Sequence, residues 1–316
     1  MARLAKRVCV VLGAALLLFV AWLGAAWPPP LWYRTHWPRQ TAFMAMRARD
    51  YARAGAVPPF QYRPVPADDM TVWLGRAATV AEDDAFYQHH GIDWHALRDA
   101  LGYRYPDFRW TSARDRAELR RALGTAAAHR DRLRGASTIT QQLAKNLYLN
   151  PSRNPLRKLK EAVLAYEIEW SMPKSRILEL YLNVVEMGPN LWGVEAASRR
   201  YFGRSAGQLT MNQAATLIAV LPHPLTSNPA HRPGRTEARA QLILRRLNGE
   251  NVVVPQEAPE DTVTLDSVPP APVLPTLPAG SLKTAPPMPR NDSAAVPLIP
   301  DTTAVPTTPK KTPTPR

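Results

Sequence analysis

Twenty consecutive residues near the N-terminus, Val8 to Trp27, carry no charge (VCVVLGAALLLFVAWLGAAW). As a helix, that length crosses a hydrocarbon core of ~30 Å. Arg3, Lys6 and Arg7 precede the run and the next charge is Arg34. The positive-inside rule therefore places residues 1–7 in the cytoplasm, 8–27 in the cytoplasmic (inner) membrane, and the rest outside it, periplasmic or extracytoplasmic. The rival reading is a cleavable signal peptide, for which Gly24-Ala25-Ala26 offers small residues. The run exceeds the ~7–15 residues of a signal-peptide core, which favours the single-pass anchor. The only cysteine, Cys9, lies inside the run. The exported part thus has no disulfide, and cysteine catalysis is excluded.

The other end of the chain limits the fold from the opposite side. From Asn251 to Arg316, 16 of the 33 prolines fall in 66 residues among Thr, Ala, Ser and Val, without helical or strand period. Such a segment buries too little apolar surface to offset chain entropy and reads as a disordered, Pro-rich tail. Its removal behind Asn248 is expected to leave catalysis intact. Residues 28–37 read as a Pro- and aromatic-rich connector, and 38–250 as one folded domain of sufficient size for a core. Of the net +14, the first 27 residues hold +3 and the tail −1, so +12 falls on residues 28–250. A domain so basic implies an anionic partner. Nucleic acid fits poorly, because the topology puts the domain outside the cell.

The folded segment reads as mostly α. Ile139, Leu143 and Leu147 recur every four residues, and Ile177, Leu178, Tyr181, Leu182 and Val185 form a second helical stripe. Asn154-Pro155 is a capping side chain ahead of a proline at the first helical position, predicting a helix through about Trp170. Thr210 and Gln213 form a capping box before AATLIAVL. The charged run 109–134 reads as a surface helix pair or a mobile excursion.

Four clusters could carry chemistry. In AEDDAFYQHHGIDW, a carboxylate beside an apolar helix face could act as a general base, its pKa raised by apolar neighbours; a capped helix end with solvated acids is the alternative. His89, His90 and His95 match no standard metal-ligand spacing. GASTITQQ, followed by Lys145 and Asn146, presents a helix start rich in hydroxyls and amides, suited to a phosphate or sugar. Arg157, Lys158 and Glu161 share one helix surface. Cations near a helix N-terminus oppose the macrodipole, so an anion is expected among them unless the face is a solvated salt bridge. In KSRILELYLN, Glu179 and Asn183 lie one turn apart and read as supporting groups. Ser171-Met172-Pro173-Lys174 matches S-x-x-K, but no K-T-G follows, and we regard it as chance.

In this order, AEDDAFYQHHGIDW, GASTITQQLAKNLYL, RKLKE, KSRILELYLN and GVEAASRRYFGR…LTMNQAATLIAVLPHP resemble the five signature motifs of the bacterial peptidoglycan glycosyltransferases. The stretch from about Val72 to Pro229 carries the resemblance, which is closest to the monofunctional members that lack a transpeptidase domain. It implies a lysozyme-like fold with a larger head and a smaller, membrane-apposed lobe. It implies polymerisation of lipid II into β-1,4-linked glycan strands, with release of undecaprenyl pyrophosphate and inversion at the anomeric carbon. Glu82 takes the place of the catalytic base and Glu161 that of the second acid. Lys145, Arg153, Arg157 and Lys158 match residues that hold the pyrophosphate. Ser137, Thr138, Gln141, Gln142 and Asn146 would line the cleft, while Asp83, Phe86, His89 and Gly91 would shape the loop carrying Glu82.

No organic cofactor is expected; a divalent cation, Mg or Mn, is compatible with the pyrophosphate. Lipid II, the nascent glycan strand and membrane lipids are the expected partners, in the company of cell wall synthesis proteins. Two departures from the family pattern stand out: the spacing between the first two motifs is longer than expected, and Gln213 replaces a usual Glu. A lysozyme-type hydrolase would need paired carboxylates but no pyrophosphate pocket. A non-enzymatic module binding anionic wall polymer would need neither Glu82 nor a choice between Lys and Arg.

Overall fold

A computed structural model of the chain describes residues 2–55, 57–128, 137–150 and 154–255. Arg153, the end of the charged run and most of the Pro-rich tail lie outside the described residues. Those described include eleven α-helices and one small sheet. The helices are α1 (Ala2–Gly24), α2 (Ala42–Arg53), α3 (Val72–Glu82), α4 (Trp94–Leu101), α5 (Ala113–Ala128), α6 (Ile139–Tyr148), α7 (Pro155–Ser171), α8 (Lys174–Val184), α9 (Val194–Phe202), α10 (Met211–Ala219) and α11 (Gly234–Leu247). Strands β1 (Gln61–Tyr62), β2 (Glu186–Gly188) and β3 (Leu191–Trp192) form a sheet in the order β1-β3-β2, parallel between β1 and β3 and antiparallel between β2 and β3. Helix α9 packs against this sheet.

Within α1, Lys6–Gly24 is a 19-residue apolar stretch of which 6% is buried. At 1.5 Å per residue it reaches about 28 Å, enough to cross a bilayer. The helix stops three residues short of the end of the uncharged run. Pro28, Pro29 and Pro30 follow, and residues ahead of proline are biased away from helix. The connector is docked rather than loose. Tyr33 is buried, and the Arg176 guanidinium donates to the carbonyls of Tyr33 (2.9 Å) and His36 (3.0 Å) while lying over the Trp37 ring. At the foot of α1, Lys160 Nζ donates to the Trp22 carbonyl (2.8 Å) and sits over its ring, fixing the end of this helix against α7.

The apolar stripes read from the sequence all face one core. Ile139 and Leu143 of α6, Leu164 and Ile168 of α7, and Ile177 and Tyr181 of α8 are fully buried together. The caps fall where the residue types put them. Asn154 Oδ1 accepts from Leu156 N (2.9 Å) ahead of α7, and Thr210 and Gln213 close a capping box on α10. Three small residues of α3, Ala77, Ala78 and Ala81, are buried and let α10 and α11 approach closely. That packing fixes where the last residue of α3, Glu82, emerges.

Gly193 shows how tightly β3 turns into α9. Its φ is 78°, and a Cβ there would lie 2.3 Å from the carbonyl oxygen of Asn183. Only glycine fits both conditions.

The first part of the charged run is helical, as α5. It pairs with α4, a helix that contributes no buried residue. Glu118 of α5 accepts two hydrogen bonds from Arg121 (2.6 and 2.8 Å) and one from the Arg104 N–H (3.2 Å). The Arg121 guanidinium pulls the Glu118 carboxyl down to about 2, against the opposing effect of burial.

Two outcomes are expected. Gly193→Ala destabilises the domain by about 3 kcal/mol or more through combined strain and clash, read as a shift in the urea midpoint; an unchanged midpoint would contradict the close approach. The folded pKa of Glu118 lies below its ordinary value of 4.5. Its contribution is therefore complete above about pH 4.5 and fades as pH falls through about 2. Hydrogen exchange in α5, corrected for intrinsic rates, should rise over that window in the wild type and be independent of it in Glu118→Gln.

Candidate active site

Glu82 closes α3 with its carboxylate held at both oxygens. Oε1 accepts from Arg239 Nη2 of α11 (2.9 Å), and Oε2 accepts from Gln142 Nε2 of α6 (3.1 Å). Gln142 is oriented in turn, because its Oε1 accepts from Tyr181 Oη of α8 (2.9 Å). Burial, reinforced by the Glu82 charge, pushes the Tyr181 phenol well above its ordinary range, so it stays a donor. With the amide oxygen turned to Tyr181, the amide N–H groups face Glu82. The surroundings of Glu82 differ from the apolar wall expected from the sequence. A buried guanidinium from a helix 157 residues away in sequence replaces it.

The loop after Glu82 is clamped to the start of α6. The Asp83 carboxylate accepts from His89 Nε2 (2.9 Å) and from Ile139 N (2.9 Å), so it caps α6 from outside. Phe86 is fully buried, edge-on to His89, with Lys174 Nζ over its ring. Gly91 has φ 86°, and a Cβ there would meet the Ala165 backbone of α7 at 3.1 Å; its carbonyl accepts from Thr138 Oγ1 (2.6 Å). Asp84 pairs with Arg246 of α11. Four elements thus immobilise the loop, which suits a group that must be positioned rather than adaptable.

The residues expected in the cleft are engaged in different ways. Thr138 and Gln141 form a reciprocal capping box on α6, and both are buried. Thr138 also lines the cavity beside Glu82, so at that residue helix capping and cleft lining coincide. Asn146 is also buried. Gln142 and Lys145 lie one turn apart on α6, and Lys145 Nζ sits 5.7 Å from the Phe43 ring centre. Glu179 and Asn183 stand away from Glu82. Asn183 bonds both backbone groups of Val65 (2.9 Å each), and Glu179 accepts from Ala67 N (3.0 Å), fixing the chain that leads into α3.

The anion expected among the cations of α7 is internal. Glu161, 3% exposed, accepts from Arg157 Nη1 (2.7 Å) and pairs with Lys158 Nζ, which also reaches Ser137 Oγ (3.0 Å). The spacings of three and four residues let the acid of the same helix answer both cations. Lys158 remains 47% exposed and Arg157 20%, so both can turn to an incoming anion. Ser137 connects this cluster to a cavity of about 440 Å³ that opens beside Glu82 and is also lined by Asp83, Asp84, Asp93 and His95. No group of three or more His, Cys, Asp or Glu able to hold a metal occurs among the described residues.

Sequence reasoning missed Arg239 and Tyr181 as parts of this site. Arg239 did leave a signal: it falls on the buried stripe of α11 with Thr236, Ala240, Ile243 and Leu244, where an arginine requires a buried partner. Removing that partner leaves Glu82 a buried, uncompensated charge. Arg239→Met should cost about 3–5 kcal/mol in urea unfolding. A loss below about 1 kcal/mol would mean that the ion pair is dispensable to the fold.

Comparison with known proteins identifies the family. The transglycosylase family model matches residues 106–248. The biosynthetic peptidoglycan transglycosylase of Bordetella avium is 38% identical over 242 residues, 77% of this chain and 93% of that protein. Its counterpart in Azoarcus sp. (strain BH72) is 38% identical over 234 residues, 74% of this chain and 90% of that protein. That of Neisseria gonorrhoeae is 37% identical over 215 residues, 68% and 83% respectively. With its mostly helical, lysozyme-like architecture, the chain belongs to the family of the biosynthetic peptidoglycan transglycosylases.

Proposed function

We propose that the protein is a peptidoglycan glycosyltransferase that polymerises lipid II for cell wall synthesis. It would work from a single-pass anchor whose short basic N-terminus lies inside the cytoplasmic membrane and whose domain lies outside. The observation that carries the reading is Glu82, held at both oxygens at the mouth of a cavity, with the Glu161–Arg157–Lys158 cluster joined to the same cavity through Ser137.

Glu82 takes the proton of the acceptor 4-hydroxyl as that oxygen attacks the anomeric carbon of the donor. The bond from that carbon to the pyrophosphate oxygen breaks, and its electron pair leaves with undecaprenyl pyrophosphate. Attack from the opposite face inverts the centre and gives a β-1,4 link. Negative charge grows on the leaving pyrophosphate, where fixed cations stabilise the transition state. Arg157 and Lys158 exchange part of their pairing with Glu161 for the phosphates, and Lys145 approaches from α6. Arg153 is assigned the same task by its place in the sequence. Glu161 keeps Arg157 and Lys158 oriented while no substrate is bound. The described acids and imidazoles do not form a metal cage of their own. A divalent cation would arrive with the pyrophosphate, and no step here depends on one.

Glu82→Gln preserves the size of the side chain and removes its basicity. In a detergent assay with labelled lipid II, turnover should fall by about 10²- to 10⁴-fold, the usual worth of a general base, with fold and lipid II binding retained. Near-normal polymerisation by the folded variant would remove Glu82 from the role. Shortening of preformed glycan by the wild type, without extension of lipid II, would replace the polymerase by a hydrolase.

A further inference from the structure

Behind α11 the chain turns back. Gly249, with φ 87°, donates to the Arg246 carbonyl (3.0 Å), and Glu250 N donates to the Arg245 carbonyl (3.0 Å). A tight turn, with Val252 N donating to the Glu250 carbonyl (2.9 Å), then leads residues 251–255 back beside α11. Val252 and Val254 are half-buried, Val254 against the main core, while Val253 between them is 81% exposed. Arg246 donates to Asn251 Oδ1 (3.4 Å) and the Val252 carbonyl (3.3 Å), and the same side chain pairs with Asp84 of the catalytic loop. The strap ends on Arg239: Nη1 donates to the Pro255 carbonyl, while Nη2 holds Glu82. The lengths agree. Arg239 lies eight residues before Leu247, about 12 Å along the helix axis, and the six residue-to-residue steps from Gly249 to Pro255 reach at most ~20 Å.

From this we infer that residues 251–255 form a positioning strap for Glu82, acting through Arg239. A guanidinium is a rigid planar fork. With Nη1 on the Pro255 carbonyl, a part-buried hydrogen bond, and Nη2 shared between Glu82 Oε1 and the Ala81 carbonyl (3.3 Å), a swing of the fork breaks the contact with the strap, and Glu82 Oε1 is held in turn. The segment read from the sequence as the start of a dispensable tail is, over these five residues, part of the support of the site. The inference rests on the proposed role of Glu82 as the base.

The test compares the full chain with truncations after Pro255 and after Glu250; both keep the bonds that end α11, and only the second lacks the strap. Truncation after Pro255 should polymerise lipid II at the full-chain rate. Truncation after Glu250 should lower kcat about tenfold with KM within about twofold, the pattern of an interaction needed in the transition state. In the Arg239→Lys background the second truncation should add little, because both changes act on one contact. Equal kcat for the two truncations, or full additivity with Arg239→Lys, would overturn the strap. Hydrogen exchange at residues 81–86 reads the same link without turnover. It should rise only when 251–255 are removed, and unchanged exchange would overturn the inference whether or not the full chain polymerises lipid II. Absence of polymerisation by the full chain, with exchange rising as expected, would instead count against the proposed function alone.

Discussion

A buried ion pair between the end of α3 and the middle of α11 organises the cleft. Glu82 and Arg239 expose only 11% and 3% of their side chains, so each charge depends on the other for its place in the interior. Breaking such a pair from one side is costly, whereas the intact pair contributes modestly to net stability. Its effect is better seen in geometry. It fixes the direction of Glu82 Oε1, and Gln142, oriented by Tyr181, fixes Oε2. The pair can form because three alanines on α3 admit α10 and α11 at close range.

The cationic side of the cleft follows a different logic. On α7 Lys158 is about half-exposed and Arg157 mostly buried, and both are answered by Glu161 from their own helix. Lys158, the more exposed of the two, is the one whose pairing solvent weakens most. The two acids at the core of the site thus have opposite surroundings. Glu82 is held by a partner far away in sequence, which favours rigidity, while Glu161 is held by neighbours on its own turn, which favours exchange.

Much of this was legible in the sequence because it is local. The uncharged run defines α1, the Asn154-Pro155 and Thr210–Gln213 caps start α7 and α10, and the leucine and isoleucine periods identify the buried faces. These rest on spacings of a few residues and on propensities that act within a turn. The α7 ion pairs are local too, and the i,i+3 and i,i+4 spacings of Lys158 and Arg157 to Glu161 give their geometry directly. The charged run was ambiguous for the converse reason. Its periodicity is dominated by arginines and acids that suit either a solvated helix or a loop, and the contact of Glu118 with Arg121 and Arg104 selected the helix.

The sequence by itself determined the long apolar N-terminal helix, the helical class, the motif order and the residue types available for acid–base and anion-binding chemistry. It left open whether Thr138 caps a helix or lines the cleft, and in the structure that residue does both. It could not pair Glu82 with Arg239, or Arg239 with Pro255. Those contacts join segments separated by 157 and 16 residues, and no local rule connects them. Only the tertiary structure decided them, because burial removes water as an alternative partner and leaves each charged or polar group to be satisfied by whichever segment the packing brings within hydrogen-bond reach.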